Sequence, residues 1–175
     1  MIKGGIGGGK TKTGLKFETR TDLRTAFTKF KDYTAIDGEL FYKENLVAKM
    51  YKKHDFYDKF LKGVNYREII SKKLLPDEAV FVIKNKTLFI IEMKFQEVAG
   101  SVDEKLQTCD FKKKQYQKLL KKTKFKIEYV YVLSDWFKHD SYKDVLQYIR
   151  DVKCHYFFET LPFEFLALPT PKANF

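Results

Sequence analysis

Two apolar runs separated by a short polar stretch constrain the fold of this chain more than any other feature of its sequence. The first run covers residues 79–83 (AVFVI) and the second covers residues 88–91 (LFII). Asn85 and Lys86 lie between the runs and suit a tight turn, so the pattern predicts a β-hairpin. Because the second run has no polar position, we expect its strand to be buried on both faces of a sheet.

The periodicity of the remaining chain predicts helices and strands around this hairpin. Apolar residues from Leu15 to Phe30 recur near helical spacing, with Thr13 as the N-cap of that helix. Further along, the pattern predicts a helix over residues 102–121, a strand over 127–133, a helix over 142–152 and a final strand formed by residues 157–158 and 163–168. This order of elements is typical of an α/β fold with a central mixed β-sheet flanked by helices.

The length and composition favour one globular domain. The chain has 175 residues, of which 44% are hydrophobic, and this is enough for a substantial core. We expect residues 13–175 to form a single domain, and residues 1–12, which are rich in glycine and lysine, to form a flexible N-terminal arm. No apolar run reaches the length of a membrane span, so no membrane association is expected.

Cysteine and histidine usage bears on location and on metal chemistry. Cys109 and Cys154 form no C-x-x-C pair and no signal peptide is present, so a reducing cytoplasm is the expected location. The three histidines do not cluster with one another, which argues against a zinc site.

The charge balance points to a polyanionic partner. Lysine and arginine number 34 against 23 aspartates and glutamates, a formal net charge of +11 at pH 7. A positive excess of this size favours nucleic acid as the partner. Lysine clusters at residues 112–114 and 121–122 support that interpretation, although a generally lysine-rich composition would also produce them.

Charged residues lie at the open end of the predicted hairpin. Pro76 and Asp77 precede the first strand, and Glu92, Met93 and Lys94 follow the second apolar run. Glu92 and Lys94 share a face because side chains alternate along a strand, and antiparallel pairing can bring Asp77 beside them. Two carboxylates hold Mg²⁺ well, and a nearby ammonium can orient the attacking water in phosphodiester hydrolysis. The alternative is a turn aspartate beside a surface salt bridge.

The order of Pro76-Asp77, a hairpin and Glu92-Met93-Lys94 resembles the PD-(D/E)xK nuclease superfamily, which includes most type II restriction endonucleases. The resemblance implies a restriction-endonuclease-like α/β/α core and DNA cleavage with Mg²⁺ as the cofactor. It also implies that Asp77 and Glu92 are metal ligands, that the backbone carbonyl of Met93 adds a third ligand, and that Lys94 is the catalytic lysine.

Many members of that superfamily carry a glutamate on the first helix, near the metal ions. Glu18 occupies the corresponding place in the predicted first helix, and the resemblance therefore makes it a further catalytic candidate. The alternative is a solvated helix residue with no catalytic role.

The N-terminal stretch GGIGGGKT, residues 4–11, matches the phosphate-binding pattern G-x-x-x-x-G-K-[ST]. A nucleotide-binding loop follows a buried strand, and the few residues before Gly4 are too short for one, so no nucleotide cofactor is expected. Lys10 and Lys12 are instead candidates for contacts with the backbone or a groove of DNA. The alternative is a disordered terminus.

Four polar residues downstream of Lys94 are further candidates for DNA contact, namely Gln96, Ser101, Lys105 and Gln107. Amide side chains can bind adenine edges, and lysine can bind guanine or a phosphate. The alternative is an ordinary polar loop and helix surface.

Together these features predict a Mg²⁺-dependent, site-specific endodeoxyribonuclease that cleaves double-stranded DNA, of the type II restriction kind. We expect a homodimer, because two sites related by a two-fold axis cut both strands of a palindromic sequence. Two alternatives stay open. One is a structure-specific junction or repair nuclease of the same fold, and the other is a basic DNA-binding protein without catalytic activity.

Overall fold

The computed structural model describes residues 14–16, 22–96 and 102–172, and it contains a seven-stranded mixed β-sheet flanked by helices. The strands are β1 (Gly14–Lys16), β2 (Tyr33–Ile36), β3 (Glu39–Tyr42), β4 (Asn45–Tyr51), β5 (Glu78–Val82), β6 (Thr87–Lys94), β7 (Lys126–Leu133), β8 (His155–Phe158) and β9 (Thr160–Pro162). The α-helices are α1 (Leu23–Thr28), α2 (Lys53–Asp55), α3 (Val102–Leu106), α4 (Cys109–Leu119) and α5 (Lys143–Asp151). A π-helix covers Phe56–Phe60, and 3₁₀ turns cover Tyr66–Glu68, Asp135–Lys138 and Asp140–Tyr142. The predicted α/β class with a mixed central sheet is confirmed.

The strands of the sheet run in the order β2-β3-β4-β5-β6-β7-β8. Strands β2 to β6 pair antiparallel, whereas β7 pairs parallel to β6 and β8 pairs parallel to β7. The predicted hairpin is confirmed as β5–β6, with Val82 opposite Thr87 and Lys86 at a positive φ in the turn. No residue of β6 from Leu88 to Ile91 is more than 3% exposed, so the strand is buried on both faces, which explains why its apolar run carries no polar position.

Alternation along the strands divides the core between the two faces of the sheet. One face, here called the α1 face, packs Val80 and Ile91 against helix α1 and the C-terminal segment. The opposite face, here called the α4 face, packs Ala79 and Ile90 against α4 and most of the other helical segments. The same alternation places Glu92 and Lys94 on the α4 face, two and four residues beyond Ile90.

The predicted helix over residues 15–30 is wrong at its N-terminal end. Gly14–Lys16 forms strand β1, which pairs antiparallel with β9 and buries Leu15 completely. The helix begins only at Leu23, where the Oδ1 of Asp22 caps it by accepting a hydrogen bond from the Thr25 N–H at 2.7 Å. One buried leucine fits either a helical or a strand period, so the sequence pattern could not separate the two. Helix α1 therefore does not include Glu18, whose own position lies outside the described residues.

The predicted helix over residues 102–121 is two helices, α3 and α4, which are separated by Gln107 and Thr108. The backbone carbonyl of Lys105 accepts hydrogen bonds from the Thr108 hydroxyl at 2.7 Å and from the Tyr131 hydroxyl at 3.1 Å. These side-chain bonds compete with the regular helical bond and end α3 there.

The predicted final strand is confirmed at residues 157–158, which belong to β8, and is wrong at residues 163–168. The strand at 127–133 and the helix at 142–152 are confirmed as β7 and α5. Residues 163–167 form a turn, in which the Leu168 N–H donates to the Phe163 carbonyl at 3.0 Å. Phe163, Leu166 and Leu168 are all buried on the α1 face. Their spacing suits a turn folded over the sheet, because a strand would have placed Phe163 and Leu166 on opposite sides.

One ion-pair group joins β7 to β8 and to α4 at the edge of the sheet. The Oε2 of Glu128 lies 3.1 Å from the His155 Nε2 and 3.4 Å from the Lys113 Nζ, and its Oε1 lies 2.9 Å from the Lys126 Nζ. Burial alone would raise the pKa of Glu128, but the hydrogen bonds from His155 and Lys126, with the charge of Lys113, lower it to about 2.

We expect Glu128 to contribute stability that is lost at acid pH. Its folded pKa of about 2 lies below the ordinary value of 4.5, so its contribution is complete above about pH 4.5 and disappears as the pH falls toward 2. Near neutral pH, the free energy of unfolding of Glu128→Gln should be on the order of 1 to 2 kcal/mol lower than that of the wild type. Urea unfolding across this pH range measures the difference, and a gap that persists at the acid end would contradict it.

Candidate functional site

The charged residues at the open end of the hairpin meet on the α4 face. Glu78 pairs with Ile91 in the β5–β6 ladder, so Asp77 and Glu92 are the next residues of the two strands. The Asp77 carboxylate accepts a hydrogen bond from the Met93 N–H at 3.1 Å, which fixes its distance from β6. The antiparallel register therefore brings the two predicted acids together.

The Lys94 ammonium lies at the centre of this group. Its Nζ is 2.9 Å from the Oε2 of Glu92, 3.4 Å from the Oδ2 of Asp77 and 3.3 Å from the carbonyl oxygen of Met93. Each of the three predicted ligands thus offers one oxygen to a single point. The Glu92 side chain is only 7% exposed, so the pair is not a surface salt bridge.

A second lysine, on helix α4, contacts the same carboxylate. The Lys112 Nζ on α4 lies 3.3 Å from the Oε2 of Glu92, the oxygen that Lys94 also contacts. Lys112 is not among the site residues predicted from the sequence. Its spacing from Tyr116 is the sequence feature that indicates its position. Residues four apart share a helix face, and Tyr116 is buried against the sheet. We call Asp77, Glu92, Lys94 and Lys112 the carboxylate–lysine cluster.

The cluster is electrically balanced by its own residues. Burial alone would lower the pKa of Lys94, but attraction to Glu92 and Asp77 raises it above the ordinary value. Lys94 therefore carries its positive charge at neutral pH. Two carboxylates and two ammonium groups then leave no net charge, which explains how Glu92 tolerates its burial.

Tyrosine hydroxyls hold the segment that leads to Asp77. The hydroxyls of Tyr57 and Tyr116 both donate to the carbonyl of Leu74 at 3.1 Å, and the Leu74 N–H donates to the Tyr57 oxygen at 3.0 Å. Two residues later, the carbonyl of Pro76 accepts from the Lys53 N–H at 3.0 Å. The segment that precedes Asp77 is thus hydrogen-bonded to both the π-helix and α4.

The oxygens around Lys94 suit a hard divalent cation such as Mg²⁺, which prefers carboxylate and carbonyl ligands and retains several waters. Asp77, Glu92 and the Met93 carbonyl already direct oxygens at one cationic atom, the Lys94 Nζ. A cation bound by them would take the place of that ammonium. No group of three or more His, Cys, Asp or Glu side chains suited to a metal occurs in the part of the chain that the structure describes, so the Met93 carbonyl matters to the ligand count.

The remaining predicted contact residues fall in different environments. The Gln96 side chain is largely buried, and its backbone is tied to the end of β7 by two 3.1 Å hydrogen bonds with the Ser134 hydroxyl. Lys105 and Gln107 are exposed on α3 and the turn after it. Four predicted residues lie outside the described residues, namely Lys10, Lys12, Glu18 and Ser101.

No helix in the described ranges combines the length and the apolar character needed to cross a bilayer.

Comparison of the chain with known protein families, with characterised proteins and with solved structures found no match in any of the three. The features that bear on function are therefore the geometry of the carboxylate–lysine cluster and the charge of the chain.

Proposed function

We propose that this protein is a Mg²⁺-dependent endodeoxyribonuclease of the PD-(D/E)xK kind. The observation that carries the proposal is the convergence of oxygens from Asp77, Glu92 and Met93 on the Lys94 Nζ, each within 3.4 Å. Metal-dependent phosphodiester hydrolysis needs an oxygen site for a hard cation beside a positively charged group. The cluster would provide both at the C-terminal end of the interior strand β6.

Each residue of the cluster would have a separate role in phosphodiester hydrolysis. Bound Mg²⁺ would neutralise negative charge on the phosphate and acidify a water molecule. Asp77 and Glu92 would hold the cation with the Met93 carbonyl, and their positions are fixed by strand pairing and by the Met93 N–H. Lys94, freed from the oxygens, can donate a hydrogen bond to the attacking water or to a phosphate oxygen. Breaking the P–O3′ bond would leave a 3′-hydroxyl and a 5′-phosphate.

The surface charge supports a polyanionic substrate. The chain carries a formal net charge of +11. Four exposed lysines follow the middle of α4 and form no ion pair with any described residue, namely Lys118, Lys121, Lys122 and Lys124. Such lysines can neutralise backbone phosphates and release condensed counterions.

Type II restriction cleavage by a homodimer is the specific form of this proposal. One cluster hydrolyses one strand, so two copies related by a two-fold axis are needed to cut both strands at a symmetric sequence. A junction or repair nuclease would use the same cluster but would recognise the shape of its substrate.

Incubation with plasmid DNA tests the proposal. We expect fragments with Mg²⁺ and none with excess chelator, because the proposed hydrolysis requires the cation that Asp77 and Glu92 would hold. Sequencing the fragment ends distinguishes the candidates. Discrete ends at one repeated sequence support a restriction enzyme, whereas cleavage limited to branched or damaged DNA supports a structure-specific nuclease. Intact DNA of every form would contradict the nuclease proposal.

A basic DNA-binding protein without catalysis is the second candidate, and one observation favours it. Lys94 and Lys112 balance the two carboxylates, so the cluster is complete as a purely structural ion-pair group. Isothermal titration with Ca²⁺, which occupies oxygen sites without the strict geometry of Mg²⁺, separates the two. DNA binding without any measurable Ca²⁺ binding would favour the non-catalytic candidate.

A further inference from the structure

Lys112 enters the carboxylate–lysine cluster from a different element than the other members. It lies on α4, whose buried residues Cys109, Tyr116 and Leu119 fix the helix against the α4 face. The Lys112 side chain is 24% exposed, and its ammonium is 3.3 Å from the buried Oε2 of Glu92. The helix backbone is therefore held in place, while this side chain is partly exposed to solvent.

The two lysines of the cluster differ in how they are held. Lys94 contacts Glu92, Asp77 and the Met93 carbonyl. Among the described residues, the Lys112 ammonium has one polar partner, Glu92. Lys112 can thus leave the cluster by giving up a single contact, and its flexible stem allows the movement without any change in α4.

Binding of a divalent cation would reverse the charge around Lys112. Without the cation, two carboxylates balance two ammonium groups. With it, the cluster carries two excess positive charges, and the cation repels the ammonium that shares Glu92 with it. An anionic phosphodiester would restore the balance, and the partly exposed Lys112 could contact it.

We infer that Lys112 is a substrate-binding residue that leaves Glu92 when a divalent cation binds and then contacts a non-bridging oxygen of the scissile phosphate. The inference rests on the proposed function. In the absence of the cation, Lys112 forms an ion pair with Glu92, and an incoming cation must displace it from that carboxylate. The residue therefore opposes metal binding but favours DNA binding, and a purely structural lysine would not have these opposite effects.

Lys112→Gln tests the inference, with Lys112→Arg as the conservative variant. Lys114→Gln is the matched control, because Lys114 is an exposed lysine on the same helix that also pairs with a carboxylate, Asp110. Ca²⁺ affinity is measured by calorimetry without DNA, DNA affinity by fluorescence anisotropy in Ca²⁺, and cleavage kinetics in Mg²⁺. All variants are full-length, and thermal unfolding checks their folding.

Lys112→Gln should bind Ca²⁺ about fivefold more tightly, because a repelling charge near Glu92 is gone. It should bind DNA about tenfold more weakly in Ca²⁺ and cleave it at least about tenfold more slowly, the effect of losing one charged contact to the phosphate. Lys112→Arg should recover most of both losses. Lys114→Gln should match the wild type in Ca²⁺ affinity and in kcat.

Weaker Ca²⁺ binding by Lys112→Gln together with reduced thermal stability would show a structural partner of Glu92 and overturn the inference. Unchanged DNA affinity and unchanged cleavage would also overturn it. Failure of the wild-type protein to cleave any DNA is a different result, because it contradicts the proposed function. The Ca²⁺ affinity and the DNA affinity would then decide the role of Lys112. If the wild type and Lys112→Gln have equal affinities for both, the inference is overturned.

Discussion

Replacement of Asp77 by asparagine is expected to lower Mg²⁺-dependent DNA cleavage by at least about a hundredfold, since it removes one of two charged metal ligands. Asparagine keeps the size of the side chain and an oxygen that can accept the 3.1 Å hydrogen bond from the Met93 N–H. The fold should therefore persist while the attraction for the cation is lost. Glu92→Gln should have an equal or larger effect, because Glu92 is the more deeply buried of the two acids.

Asp55→Asn is the matched control for these variants. Asp55 is an exposed aspartate that pairs with a lysine, Lys59, at 3.1 Å on the surface, so its loss should leave cleavage within about twofold of wild type. Initial rates on plasmid DNA give the comparison, and circular dichroism shows whether each variant is folded. A folded Asp77→Asn protein that cleaves at the wild-type rate would remove Asp77 from the metal site.

The central hairpin could be predicted from the sequence because its signals are local. The two apolar runs, the polar turn and the strand register all lie within about twenty residues. Strand β1 could not be predicted, because Leu15 gains its burial from pairing with β9, at the other end of the chain. The break between α3 and α4 was missed for a similar reason, since the Tyr131 hydroxyl that binds the Lys105 carbonyl comes from another strand.

The same distinction applies to the candidate site. Asp77, Glu92 and Lys94 belong to one hairpin, so alternation and register sufficed to predict that they meet. Lys112 comes from a helix whose direction over the sheet depends on tertiary packing. The hydrogen bonds from the Tyr57 and Tyr116 hydroxyls to the Leu74 carbonyl also join distant segments. No local sequence pattern predicts them. The residues proposed to hold the metal could thus be predicted from the sequence, whereas the residues that surround and position them could not.

Lys94→Met is expected to lower both cleavage and stability, and divalent cations should restore the stability. Without a cation, and among the described residues, methionine leaves the 7% exposed Glu92 paired with Lys112 alone and leaves Asp77 with only the Met93 N–H. Removing one member of a buried ion-pair group costs about 3 kcal/mol, which lowers the Tm of a chain this size by roughly 6–12 °C. Cleavage should fall at least about a hundredfold, because no ammonium would remain beside the attacking water.

The response to Ca²⁺ is the decisive part of this prediction. A ligand that binds only the folded state stabilises it by about 2.7 kcal/mol at a hundred times its Kd, and Lys94→Met has lost the ammonium that competes for the oxygens of Asp77, Glu92 and Met93. Thermal unfolding with and without millimolar Ca²⁺ should therefore show a larger Tm increase in the variant than in the wild type. Lys49→Met, which removes an exposed 2.8 Å pair with Glu39, should change little in either condition. If Lys94→Met is destabilised and Ca²⁺ does not restore it, the carboxylates pair with lysine alone and hold no metal.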